Sequence, residues 1–221
     1  MRKITESYIR YIVIEDNKLE FFIFLNLLYV LSAILVNEFI IHDELYYRSF
    51  GNQLSINAID SLISFRNTWK WLSYATIPLI LTLKFLLVAT FLSMGSIVAS
   101  HKLTFRQIFG ITMACEVVFL TANFITTGNL LFSEVNTLED LSVTMFSLAS
   151  MIPESSIETY LYVPLQSFNV FLLVYIFFLS WCYKTVTGYP FNQSLILILA
   201  TYGSAFIMWI ILIMYLLISY A

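Results

Sequence analysis

The sequence predicts an all-α protein that crosses a membrane five times. Three observations carry this. Of 221 residues, 60% are hydrophobic and 11% charged, and mean hydropathy is +0.85. No soluble interior of this size hides that much apolar surface. The apolar residues gather into five runs of about 20 or more, the length a helix needs to cross the hydrocarbon core. None of the runs shows period-two alternation, which selects helices over barrel strands.

The elements follow in order. Residues 1–20 read as a short cytoplasmic tail and 21–221 as one helical membrane domain. The first span runs over about 21–41. It follows Lys18 with no small-residue cleavage site behind it, so it reads as an anchor and not a cleaved leader. The second covers about 71–100, the third 104–127, the fourth 161–183 and the fifth 191–220. Pro78 in the second span removes a backbone hydrogen bond and predicts a kink. Pro164 lies near the start of the fourth span, where proline is tolerated.

Basic residues orient the chain. Arg2, Lys3, Arg10 and Lys18 precede the first span; His101, Lys102 and Arg106 lie in the second-to-third turn; Lys184 lies in the fourth-to-fifth turn. All share one side. The loop from Gly128 to Tyr160 holds Glu134, Glu139, Asp140, Glu154 and Glu158 and no Lys or Arg. The loop from His42 to Lys70 is near neutral. These charges predict an N-terminus inside and a C-terminus outside; the expected setting is a bacterial cytoplasmic (inner) membrane.

Each outer loop carries a helical apolar pattern. Ile56, Ile59, Leu62 and Ile63 mark the first; Leu138, Leu141, Met145, Leu148 and Ile152 mark the second, with Thr137 and Asp140 where a capping box would begin. Both predict amphipathic helices, packed on the bundle or lying on the membrane boundary. Tyr46, Tyr47, Trp69, Trp71, Tyr160, Tyr162 and Tyr220 fall at the outer edge, and Trp181, Tyr183 and Tyr189 at the inner edge, as interfacial anchors. Trp209 sits deep in the fifth span.

Two ionisable residues fall mid-span, Lys84 and Glu116. A charge at the bilayer centre costs about 2.5–3.5 kcal/mol on insertion scales. A hairpin turning near His101–Lys102 puts Glu116 opposite about Leu87, some 4.5 Å along the axis from Lys84. The two are therefore a candidate intramembrane ion pair. It is either a structural lock on the hairpin or a proton- or ion-linked site. A third arrangement has Lys84 against another polar group and Glu116 protonated. Asn26, Tyr29, Ala33 and Asn37 follow one face of the first span; Thr112, Glu116 and Asn123 one face of the third; Gln166, Asn169 and Ser180 one face of the fourth. Asn26, Asn123, Gln166 and Asn169 are thus candidate bundle-interior polar residues. Glu38, near an end of the first span, reaches water and needs no partner.

Catalytic chemistry is not expected. There is no H-E-x-x-H, G-x-S-x-G or P-loop. His42 and His101 fall on opposite sides and cannot share a metal. No span holds an aspartate, which excludes paired-aspartate proteolysis, and no histidine sits at membrane depth to activate a nucleophile. Cys115 and Cys182 both lie within apolar runs and read as small buried hydrophobes. No metal, cofactor or nucleic-acid partner is expected.

The stretch Ser100-His101-Lys102, followed by Leu103-Thr104-Phe105-Arg106-Gln107-Ile108-Phe109-Gly110, resembles the basic turn and Phe-containing helix start of the Yip family (Ypt-interacting-protein-like membrane proteins). The run Trp181-Cys182-Tyr183-Lys184-Thr185-Val186-Thr187-Gly188-Tyr189-Pro190-Phe191 is similar to that family's last turn, where a basic residue and Thr-Gly precede the final helix. The resemblance covers about residues 83–220 and implies five spans, N-terminus in and C-terminus out. Eukaryotic members are linked to vesicle transport and Rab GTPases through a larger cytosolic N-terminal region. The tail of residues 1–20 does not match that region, so GTPase binding is not carried over. The expected function is that of a non-enzymatic accessory or assembly subunit, bound to membrane lipids and to a membrane-protein partner or a second copy. The alternative is a small transporter, or a subunit of one, using Lys84 and Glu116.

Overall fold

A computed structural model describes residues 7–14, 17–142, 146–153 and 157–220. Arg2, Lys3, Met145 and Glu154 lie outside them. Among the described residues, five helices are long and apolar enough to cross a membrane: Lys18–Ile40, Ile56–Val98, Phe105–Phe132, Val170–Thr187 and Phe191–Ser219. These five fit a multi-pass membrane protein, and no strand occurs among the described residues.

Helix α1 (Lys18–Leu35) continues through a π-helical turn, Val36–Ile40. Helix α2 (Asp43–Phe50) folds back beside α3 (Ile56–Val98). Lacking any breaker before Pro78, α3 runs unbroken for 43 residues. At about 1.5 Å per residue it is roughly twice as long as a hydrocarbon core of about 30 Å. The apolar pattern around Ile56–Ile63 is therefore the first turns of α3, not a separate helix. Pro78 stays within α3 and its carbonyl accepts from the Thr82 hydroxyl, 2.7 Å away.

After a short turn, Thr104 caps α4 (Phe105–Cys115). Its hydroxyl accepts from the Gln107 N–H while the Gln107 side chain accepts from the Thr104 N–H. Helix α5 (Val117–Phe132) continues it past Glu116, where the ladder tightens: the Glu116 N–H bonds to Met113 O at 3.2 Å. The turns at 99–104 and 188–190 share one face of the bundle with Lys18, here called the basic face. The segments 41–55, 133–142, 146–153 and 157–158 share the opposite, loop face.

The fourth apolar run differs from expectation. It is two helices, α6 (Thr159–Ser167) and α7 (Val170–Thr187). Asn169 caps α7 by accepting from the Leu172 N–H at 2.9 Å. The extended backbone at Phe168–Asn169 pairs with Phe146–Leu148 of the loop, Leu148 N–H to Phe168 O at 2.9 Å and Val170 N–H to Phe146 O at 3.2 Å. The Asn side chain favours this cap over a continuous helix. Pro164 is thus within α6, outside the span. At the other end Gly188, at φ 77°, closes α7 in the left-handed conformation glycine permits. The fifth run is α8 (Phe191–Ile198), a π-turn (Leu199–Gly203) and α9 (Ser204–Tyr220).

The N-terminal segment is not a free tail. Ile9, Ile12 and Val13 are buried against α4, and the Tyr8 hydroxyl donates to Ala114 O at 2.9 Å. Gly110 makes room: a Cβ there would meet Lys18 Cε at 2.9 Å and Val13 Cγ2 at 3.4 Å. With them, Leu25, Phe85, Leu92, Ile111, Tyr175 and Leu179 form the core.

The loop face is built by polar contacts. Arg66 donates to Asn37 O at 3.0 Å and Ile41 O at 3.1 Å, holding the end of the first span against α3. Glu38 pairs with Lys70 and so does have a partner, because α3 extends alongside it. Arg48 donates to Asn136 Oδ1 at 3.2 Å, and the Leu138 N–H to Ser49 Oγ at 2.8 Å. Among the described residues of 138–152 there are two short 3-10 turns, Glu139–Ser142 and Ala149–Met151. Asp140 Oδ2 accepts from the N–H groups of Thr137 and Asn136, both at 2.9 Å.

Those donors, Thr137 first, hold the Asp140 carboxyl below its usual value. A depressed folded pKa contributes stability above the unfolded value, near 3.8, that is lost as pH falls through the folded value. The amide NMR shifts of Asn136 and Thr137 should therefore stay flat from neutral pH and move only below about pH 4. In Asp140→Asn they should not titrate. Movement near pH 6 in the wild type would refute the assignment.

Candidate functional site

The hairpin of α3 and α4–α5 sets the register of two mid-span charges. Lys84 Nζ lies 2.7 Å from Glu116 Oε1. The same oxygen accepts from the Tyr29 hydroxyl at 2.8 Å, so α1, α3 and the α4–α5 junction meet at one atom. Glu116 is 1% exposed, whereas the Lys84 side chain is 34% exposed. The ammonium also sits 4.0 Å from the centre of the Phe119 ring, one turn along α5. Ser32 and Thr127 share a buried hydrogen bond of 2.9 Å further along the same helix pair. Residues 116, 123 and 127 step along one face of α5 and 26, 29 and 32 along one face of α1, so these stripes face each other.

The polar residues expected inside the bundle divide. Asn26 donates to Phe22 O at 2.7 Å, and its Oδ1 is buried without a donor; so are Asn123 Oδ1 and Glu116 Oε2. Asn37 is tied to Ala33 O at 3.0 Å, and Thr112 to Phe109 O at 2.8 Å. Asn169 is the α7 cap at the loop face, and Gln166 sits on α6, its backbone carbonyl accepting from Asn169 Nδ2 at 3.3 Å. Both are half-buried and precede the span Val170–Thr187. Ser180 is buried and donates to Ile176 O.

A second polar cluster lies near the basic face. Ser96 donates to Leu92 O at 2.8 Å and contacts the Tyr183 hydroxyl at 2.8 Å; that hydroxyl contacts His101 Nδ1 at 2.7 Å. One proton per hydroxyl gives the chain a direction. Ser96 spends its proton on Leu92, so Tyr183 donates to Ser96 and His101 Nδ1–H donates to Tyr183. Nε2 is left outside the relay. The His101 ring also stacks on Tyr189, centroids 3.8 Å apart and 18° from parallel. Tyr183, read from sequence as an interfacial anchor, is fully buried. No local sequence signal marks this role, because it depends on two turns distant in sequence lying side by side.

Beside this relay a groove of 660 Å³ runs between the end of α3 and α8 with its π-turn. A second, of 650 Å³, lies between the first span and α3, bordered by Asn37, Phe65, Arg66, Trp69 and Lys70. Among the described residues no group of three or more His, Cys, Asp or Glu is placed to hold a metal. No family model, curated protein or solved structure matches the chain.

Proposed function

We propose that this chain is a non-enzymatic multi-pass membrane protein of Yip-like architecture, acting as an accessory or assembly subunit of a membrane complex. In this reading the basic face is cytoplasmic, the C-terminus is outside, and a bacterial inner membrane is the setting. The observation that carries it is an apolar stripe on α3. Leu62, Phe65, Trp69 and Leu72 follow i, i+3, i+7, i+10 on one face and stay exposed, Phe65 at 65% and Trp69 at 46%. A neighbouring face, with Ile59 and Ile63, is already buried. A helix apolar on two faces, running past a bilayer's thickness, suits a partner helix on the second face.

The test places a photocrosslinking residue at Phe65, at Trp69 and, as control, at lipid-facing Leu83, in native membranes. Stoichiometric protein adducts from 65 and 69 but not 83 are expected. Adducts absent from all three, or equal at all three, would overturn the reading.

A second reading, ion- or proton-linked transport, has one observation in its favour: Glu116 Oε2 is buried without a donor at a tightened helix junction. The Lys84→Met/Glu116→Gln double variant separates the two. Complex formation survives it under the first reading; substrate-linked flux is abolished under the second.

A further inference from the structure

We infer that the groove between α3 and α8 is a seat for one anionic phospholipid of the leaflet on the basic face. Three features specify that occupant. The first is depth. From Gln193 to Ser204 the groove covers twelve residues, about 16 Å of helix, close to half of a hydrocarbon core of about 30 Å. It begins where the spans begin and stops near the midplane, which matches one acyl chain and not a crossing helix.

The second is polarity. The body is walled by Phe91, Met94, Val98 and Ile196, while His101 and Gln193 stand together at the basic-face end. An occupant with an apolar body and one polar end fits that distribution. The third is charge. Lys102 follows His101 and is exposed, and Lys184 lies in the last turn of α7, just before the facing turn, 5.3 Å above the Trp181 ring. No acidic side chain lies in either turn. Juxtamembrane basic residues of this kind draw anionic headgroups. The mouth is also preorganised: the Tyr183 hydrogen bond and the Tyr189 stack fix His101 before anything binds.

The test uses the whole chain in phosphatidylcholine vesicles containing a phosphatidylglycerol analogue with a diazirine midway along one acyl chain. Adducts are mapped by peptide mass spectrometry. We expect labelling concentrated in residues 91–98 and 193–201, competed by unlabelled phosphatidylglycerol and not by added phosphatidylcholine. Lys102→Gln, an exposed substitution that leaves the core untouched, should lower the yield roughly fivefold. Ala200→Trp should abolish it by filling the groove. Three results would overturn the inference: labelling spread evenly over lipid-facing residues such as Leu83 and Leu173, equal competition by both lipids, or a protein–protein adduct in the groove.

Discussion

Lys84→Met should destabilise the protein by about 3 kcal/mol, and Glu116→Gln by only about 1. The asymmetry comes from burial. Removing the ammonium leaves a carboxylate that is 1% exposed, with Tyr29 its remaining donor. Removing the carboxylate's charge leaves an ammonium whose side chain is 34% exposed, still over the Phe119 ring, and a glutamine that accepts from Tyr29 as before. The Lys84→Met/Glu116→Gln double variant removes both charges and should recover to about the level of Glu116→Gln. That gives a coupling energy of roughly 2–3 kcal/mol. Tyr29→Phe deletes one neutral donor and should cost about 1. Unfolding by sodium dodecyl sulfate in mixed micelles measures all four. Additive effects of the two single changes would mean that the pair is geometrically close yet energetically independent.

This junction also shows where the sequence was legible. The hairpin at His101–Lys102 is short, so counting residues from the turn fixes the axial level of Lys84 and Glu116. Tyr29 could not be found that way. Which face of α1 meets α5 depends on helix rotation, which packing decides and hydropathy does not. The same holds for Tyr183, whose relay to Ser96 and His101 requires two distant turns to be adjacent.

The misread elements have local causes. Between Leu161 and Tyr183 the polar residues Gln166, Ser167 and Asn169 are too few to break the apolar average, so hydropathy merged α6 with α7. The break depends on one cap, Asn169, and on pairing with a loop far along the chain. The N-terminal segment carried a signal in Tyr8, Ile9, Ile12 and Val13, spaced for one helical face. Its eight described residues are too few for a span, yet they bury as core. In the loop before α6 the apolar spacing was helical, while Asp140 spends its carboxylate on two backbone amides and closes a tight turn.

Gly95→Ala should cost about 1–3 kcal/mol, although alanine is favoured over glycine in a helix by about 1. A Cβ at position 95 would fall 2.2 Å from Thr201 Cγ2, in the π-turn of the fifth span. The next atoms, Thr201 Cβ and Leu197 Cδ2, are at 3.5 and 3.6 Å, ordinary contacts. One methyl group therefore makes the clash, and Thr201→Ser removes it. Serine keeps the hydroxyl that donates to Leu197 O at 2.8 Å, so the π-turn loses no hydrogen bond. The Gly95→Ala/Thr201→Ser double variant should return at least to the stability of Thr201→Ser alone, and exceed it if the alanine gain is realised. Gly128→Ala is the control: its Cβ would meet nothing within 4 Å, so only the propensity gain remains. If Gly95→Ala is neutral, or serine at 201 fails to rescue it, then α3 and the π-turn do not cross at the distance described here. The floor of the lipid groove would go with that crossing, because Gly95 and Thr201 both line it.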